Sequence, residues 1–212
     1  MNNAERIRNE KLGASLIKAL ALRHFDAYYC ASSSEAAEKI LSLIPKKDVV
    51  SWGGSMTMEA LGVIDRVKKG GWRVIDRSTA QSQEEKMEIT RSALLCDTYL
   101  TGANAISEDG EIVNVDGIGN RVAAMTFGPK SVIVACGINK VVKTAQDALS
   151  RARNTAAPVN AQRFDIRTPC KTTGTCADCK STDSICSYIV RTRLCKPAGR
   201  IKVVLIGEAL GF

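Results

Sequence analysis

Apolar residues recur at helical spacing over residues 2–24, where Ile7, Leu12, Leu16, Ile17, Leu20 and Leu22 stand among charged neighbours; this predicts an amphipathic helix. Ala27-Tyr28-Tyr29-Cys30 reads as a short strand. Ser32 and Glu35 form a capping-box pattern before a helix over Ala36–Ile44, which Pro45 stops. Three β-favouring residues in Asp48-Val49-Val50-Ser51-Trp52 then run into Gly53-Gly54. Ser55 and Thr57 lead on into a second apolar-periodic segment, predicted as one helix up to Gly70-Gly71. Trp72-Arg73-Val74-Ile75-Asp76 is again strand-like, Gln83–Leu95 helical, and Asp97-Thr98-Tyr99-Leu100-Thr101 a strand. Val122–Phe127 reads as a short helix and Ser131–Gly137 as a buried strand. Asn139-Lys140 is predicted to open a helix reaching about Arg153, and Ile201–Ile206 is the final strand.

Strands alternating with helices of about ten to fifteen residues predict an α/β domain: a parallel sheet covered on both faces, doubly wound and Rossmann-like because crossovers are right-handed. The alternation breaks at residues 102–121, where Asp109-Gly110 between β-type segments signals a hairpin. In such sheets ligands sit outside the carboxyl ends of the strands. The turn after Trp52 belongs to that end. Its glycines let a ligand approach the backbone, and the first amides of the following helix would favour a phosphate or carboxylate. A plain strand–helix turn with Ser55 as N-cap explains the same residues, since neither a P-loop lysine nor the dinucleotide spacing is present.

The 212-residue chain is sized for one sizeable core. Its polar start lacks a signal-peptide pattern and no apolar run approaches membrane-spanning length, so a cytoplasmic location is expected. Eight cysteines in a reducing compartment point to metal binding or buried thiols before disulfides. The net charge of +8 is unevenly spread: residues 151–212 hold 11 Lys and Arg against 4 Asp and Glu, together with five of the cysteines. Nucleic acid is a poor explanation, because aromatics are only 5% and there is no recognition-helix pattern or basic block. Compensation of a thiolate centre or docking of an acidic partner fits the excess as well.

Cys170, Cys176, Cys179 and Cys186 carry the strongest chemical signal, with small or turn-forming residues between them. Four thiolates can close a tetrahedral zinc site or hold a [4Fe–4S] cluster. Structural zinc usually takes two close cysteine pairs; here only Cys176 and Cys179 are close, which tilts the reading toward iron. Cys195 looks spare, and Cys30, Cys96 and Cys136 suit simple burial. Asn104, Asp116, Asn120, Arg121 and Lys140 are polar groups placed in loops or helix starts at the expected ligand end. Arg121 and Lys140 would suit a carboxylate or phosphate, although turn-forming and solvated roles explain the same residue types. Glu59 follows the glycine turn by one helical turn and could act as a base or simply face the helix dipole. His24, the one histidine, lies near the end of the first predicted helix and reads as a surface or packing residue, so a Ser-His-Asp or Cys-His mechanism is not expected.

Four motifs in order resemble one family. Trp52-Gly53-Gly54-Ser55 with Thr57 and Glu59, Thr101-Gly102-Ala103-Asn104-Ala105-Ile106, Asp116-Gly117 with Gly119-Asn120-Arg121-Val122, and Gly137 with Asn139-Lys140-Val141-Val142 are similar to the LUD domain family of lactate utilisation proteins, LutC-like. The resemblance covers roughly residues 5–150 and the final strand. It implies a three-layer α/β/α fold like those of ribose-5-phosphate isomerase, glucosamine-6-phosphate isomerase and class I CoA-transferases. It also implies a small anionic metabolite of lactate or pyruvate metabolism and iron–sulfur partner proteins. The expected organisation is a single domain over 1–212, with residues 165–199 as a cysteine-rich insertion before the last strand. Gly53, Gly54, Ser55, Thr57, Glu59, Asn104, Asp116, Asn120, Arg121 and Lys140 are the expected ligand-binding set. Ser107-Glu108-Asp109-Gly110 is similar to the segment bearing the nucleophilic Glu of class I CoA-transferases, making Glu108 a candidate nucleophile. That similarity supports the alternative of an independent isomerase or CoA-transferase-like enzyme acting on a phosphorylated or CoA-linked substrate.

Overall fold

The computed structural model describes residues 2–212. Helix α1 (Asn3–Leu22) begins at Asn2, whose side chain and that of Glu5 form a reciprocal capping box, and strand β1 (Asp26–Cys30) follows. Helix α2 (Ser33–Ser42) is capped by Ser32, as expected. Glu35 reaches past the cap, however, and accepts from the Ala31 amide, so the predicted box is only half made.

Strand β2 (Val49–Trp52) and the glycine turn lie where the pattern put them. The single helix expected after them does not form. It is cut into α3 (Met56–Ala60) and α4 (Val63–Lys69) at Gly62, whose φ of +64° is left-handed and ends one helix while starting another. Strand β3 (Arg73–Ile75), helix α5 (Gln83–Ser92) and strand β4 (Thr98–Gly102) agree with the pattern. Strands β5 (Ala105–Ser107) and β6 (Ile112–Asp116) pair antiparallel around Asp109-Gly110, so the hairpin is present. Helix α6 (Asn120–Thr126) and strand β7 (Ser131–Gly137) follow.

Asn139-Lys140 do not open a helix. They form a single 3₁₀ turn leading into β8 (Val141–Val142), and helix α7 (Ala145–Arg151) starts later, where Thr144 and Asp147 make a full capping box. A π-helical turn over Ala152–Ala156 continues it into α8 (Ala157–Ala161). Helix α9 (Pro169–Thr173), the short strand β9 (Tyr188–Thr192) and strand β10 (Ile201–Ile206) complete the chain.

The main sheet is six-stranded and wholly parallel, in the order β1-β10-β7-β4-β2-β3. The period-two side-chain alternation of its strands splits the core in two. On β7, Val132, Val134 and Cys136 pack with Leu16 and Leu20 of α1 and Ala124 and Met125 of α6. Ile133 and Ala135 pack with Ala36, Ala37 and Ile40 of α2, Met58 of α3 and Val63 and Val67 of α4. The architecture is therefore α/β with helices on both faces. A second, mixed sheet has the order β8-β5-β6-β9, and α7 covers it through Ala148 against Ala105, Val113 and Val115. Residues 188–192, inside the segment read as an insertion, thus supply a strand of that sheet.

Candidate functional site

The chain leaves β2 toward β3 on one side and returns to β4 on the other, so strand order reverses between β2 and β4. Loops leaving a sheet in opposite directions cannot close over the gap, and the crevice at the carboxyl ends is the expected ligand position. Gly53-Gly54-Ser55 leaves β2 and Ala103-Asn104 leaves β4 on its two rims. Three adjoining cavities meet there around Gly54. One is bounded by Trp52, Glu59, Asp76 and Arg77; the second by Ser55, Asn104, Arg121, Lys140, Asn160 and Arg163; the third by Asn120, Arg77, Phe164 and Ile185.

Close packing of the rims explains one glycine. A Cβ on Gly102 would stand 2.7 Å from the Ser55 hydroxyl oxygen and 3.4 Å from the Ala135 carbonyl, so only glycine lets the β4 end sit against the Ser55 cap. Ser55 in turn accepts from the Met58 amide. The helix it caps has five residues, too few for a strong dipole. The cleft's positive character comes from side chains instead.

Lys140 is the centre of that character. It is 3% exposed; its ammonium donates to the Thr57 hydroxyl (2.8 Å) and the Ala103 carbonyl (3.3 Å), and it forms no ion pair among the described residues. Burial pushes its pKa down; the neighbouring Cys136 opposes this, and Arg151 and Arg121 reinforce it. A buried cation with neutral partners only and two positive neighbours is costly unless an anion completes it. Arg121 donates to the Val115 carbonyl at 2.5 Å and pairs with Asp116 through its buried Nε, which stands 3.4 Å from the carboxylate without making a hydrogen bond. Arg151 donates only to carbonyls, of Asn104 (2.5 Å) and Asn139 (3.2 Å), and burial lowers its pKa. Arg77 pairs with no carboxylate among the described residues, and Arg163 reaches Glu59 only at 3.9 Å.

The expected ligand set is thus largely brought together: Gly53, Gly54, Ser55 and Glu59 line the cleft with Asn104, Asn120, Arg121 and Lys140, and Thr57 holds the lysine. Some of these groups are already committed within the fold. Asp116 accepts from the amides of Gly119, Arg121 and Val122 and so caps α6. The Asn104 side-chain oxygen accepts from the Val115 amide, tying the two hairpin strands. Glu108 lies elsewhere: it lines none of these cavities, pairs with Lys143 at 2.6 Å, and follows Asn104 by four residues, about 13 Å along extended chain. Arg77, Arg151, Asn160 and Arg163 were not legible as site residues. Single polar residues in helices and turns look like solvated surface, and only the fold brings these four to the cleft.

The cysteine segment forms a separate place. Cys170, Cys176, Cys179 and Cys186 line one cavity with Ala157, Pro158, Ile189 and Arg153. Burial pushes the Cys186 thiol up to about 11, and the other three cysteines push it the same way. No three His, Cys, Asp or Glu side chains among the described residues converge on one metal-ion position. The other four cysteines are buried in the fold, and Cys195 is engaged with the Ile201 amide and the Pro197 carbonyl.

Among curated proteins none matches the chain. Of the solved structures, a DUF162 family protein from Deinococcus radiodurans is 15% identical; the match covers 95% of this chain and 97% of that one with a TM-score of 0.52, a likeness of fold. Ribose 5 phosphate isomerase A from Neisseria gonorrhoeae matches at 15% identity over 53% of this chain and 54% of its own, with a TM-score of 0.35. The eIF2B delta of Chaetomium thermophilum matches at 18% identity over 65% and 57%, with a TM-score of 0.34. No helix of the described residues is long and apolar enough to cross a membrane. The LUD domain matches residues 14–206, nearly the whole length, and the chain belongs to the LUD domain family.

Proposed function

We propose that this protein is a lactate-utilisation-type accessory or redox subunit that holds a small anionic metabolite, of the lactate or pyruvate class, in the cleft between β2 and β4. One observation carries the reading: among the described residues the buried Lys140 ammonium has no carboxylate partner, and it faces the same cavity as Arg121 and Arg163. A carboxylate there would meet the lysine and the Arg121 guanidinium together, with Ser55 and the Asn104 side chain as polar neighbours. The redox character of the role would come from the cysteine segment, and iron–sulfur proteins are the partners it suits.

Thermal melting with pyruvate, L-lactate, inorganic phosphate and a CoA thioester tests the reading. A small carboxylate should raise the melting temperature in a saturable, salt-sensitive way, by roughly 3 kcal/mol of stabilisation at a hundredfold excess over Kd. If none of the four stabilises the protein, the cleft is not an anion site.

A second reading is favoured by the same lysine. A buried amine with a depressed pKa is also the type of group that serves as a base or nucleophile, so an isomerase or CoA-transferase-like enzyme on a phosphorylated or CoA-linked substrate is the alternative. Turnover of such a substrate by the isolated protein, abolished by Lys140→Met, would replace the accessory role with a catalytic one.

A further inference from the structure

The four-cysteine cavity is built by three separate parts of the chain. Cys170 stands in α9, and Cys176 and Cys179 lie on the loop after it. Cys186 stands two residues before β9, and the wall is formed by the π-helical turn and α8. The loop is bent by two residues in left-handed conformation, Gly174 (φ +75°) and Asp178 (φ +49°). Asp178 lies between Cys176 and Cys179, and a non-glycine residue holds such a conformation only when its surroundings fix it. Arg153 does so: its guanidinium pairs with the Asp178 carboxylate and donates to the Cys176 sulfur at 3.9 Å. The hydroxyl of Thr168, itself 3% exposed, stands 3.3 Å from the Cys170 sulfur, and the Cys186 amide is turned by a bond to the Ser184 hydroxyl. Apart from the thiols, the lining is mainly aliphatic, supplied by Ala157, Pro158, Ala177 and Ile189.

The spacing of this donor set favours a cluster over a single ion. Zinc draws four sulfurs to about 2.3 Å from one point. A cubane cluster places each thiolate on a different iron, so its ligands stand farther apart around a volume. Here four thiols line one cavity, and only Cys176 and Cys179 form the close pair of which structural zinc usually takes two. Arg153 supplies a positive charge and an N–H group beside the Cys176 sulfur, which favours a centre of net negative charge.

We propose that Cys170, Cys176, Cys179 and Cys186 ligate a [4Fe–4S] cluster and that Arg153 is its positioning residue, holding the Cys176–Cys179 loop and raising the potential of the centre. The assignment does not depend on what the β2/β4 cleft binds.

Anaerobic reconstitution of the full chain with ferrous iron and sulfide, compared with zinc, tests it. The wild type should take up roughly four irons and four sulfides per chain and develop a broad visible absorbance. Replacement of all four cysteines by serine should abolish uptake with an unchanged far-ultraviolet dichroism spectrum, while Cys195→Ala keeps it. If the fourfold variant does not fold, Cys179→Ser alone should lose the stoichiometric uptake. Arg153→Gln should retain iron but shift the midpoint potential downward, with Arg153→Lys restoring much of the shift, because a donor and charge near the sulfurs favour the reduced state. One tightly held zinc per chain that excludes iron overturns the proposal. So does iron that persists in the serine variants, or a folded wild type that takes up no metal. A potential unmoved by Arg153→Gln removes the role given to that residue.

Discussion

The β2/β4 cleft and the cysteine cavity share one wall and are built on different physical terms. The helical stretch from Ala145 to Ala161 gives Arg151 and Asn160 to the surroundings of the first and Arg153, Ala157 and Pro158 to the second. The cleft is preformed. Its rims leave two strands of a parallel sheet, its glycine turn is packed to contact against β4, and its key cation is buried and hydrogen-bonded before any ligand arrives. The cavity is held mostly by side chains and short turns: between α9 and β9 the chain has no regular structure, and its cysteines are all half-exposed. A site on a sheet stores the cost of burying charge in the fold. A site on a loop would leave that cost to a metal, whose binding energy would then order the segment.

Separating the two sites experimentally should therefore give opposite signatures. The largest effect is expected from Lys140→Met. Removing one partner of a buried, hydrogen-bonded charge pair costs about 2–3 kcal/mol of binding, roughly a hundredfold in affinity. The same change should leave the protein as stable as before or stabilise it by about 1 kcal/mol, because a buried cation without a counter-ion among the described residues is replaced by an apolar chain of similar length. Gly102→Ala should instead destabilise the fold by about 1–3 kcal/mol, measured by urea unfolding, since its Cβ meets Ser55 and the Ala135 carbonyl.

For the cavity, metal chelation should raise the rate of proteolysis within residues 174–187 roughly tenfold while the sheet stays protected from hydrogen exchange. A protease-resistant segment after chelation would mean that the loop, too, is preformed. A smaller effect is expected with pH. Burial lowers the Lys140 pKa below its ordinary 10.5, so in the folded protein the ammonium loses its proton before the unfolded chain would. Over the window from that lowered value up to 10.5 the unfolded state binds more protons, and stability from this group rises with pH. Anion affinity needs the charged form and should fall over the same rise in pH. Glu108→Gln should change neither anion affinity nor metal content, because its carboxylate is spent on Lys143 outside both sites.

The sequence was most legible where periodicity and glycine punctuation agree. The parallel strands, the turn after Trp52 and the Asp109-Gly110 hairpin all follow from side-chain pattern and φ preference. It was least legible where one residue overrides a pattern: Gly62 has the apolar period on both sides, so nothing local says that one helix becomes two. Lys140 was readable as a polar group at the ligand end, but the helix expected around it is a 3₁₀ turn that directs the side chain inward. Tyr188-Ile189-Val190-Arg191-Thr192 is β-favouring in composition, yet its partner β6 is over seventy residues away in sequence, and the neighbouring cysteines dominate the local pattern.

The central claim is that Lys140 is a buried cation awaiting a small anion. Calorimetric titration of pyruvate into the wild type and into Lys140→Met, at matched low salt and neutral pH, tests it directly. Saturable binding in the wild type that falls roughly a hundredfold in a variant melting at or above the wild-type temperature is the predicted result. Equal binding by both proteins, or a variant that loses binding only because it has lost its fold, would contradict it.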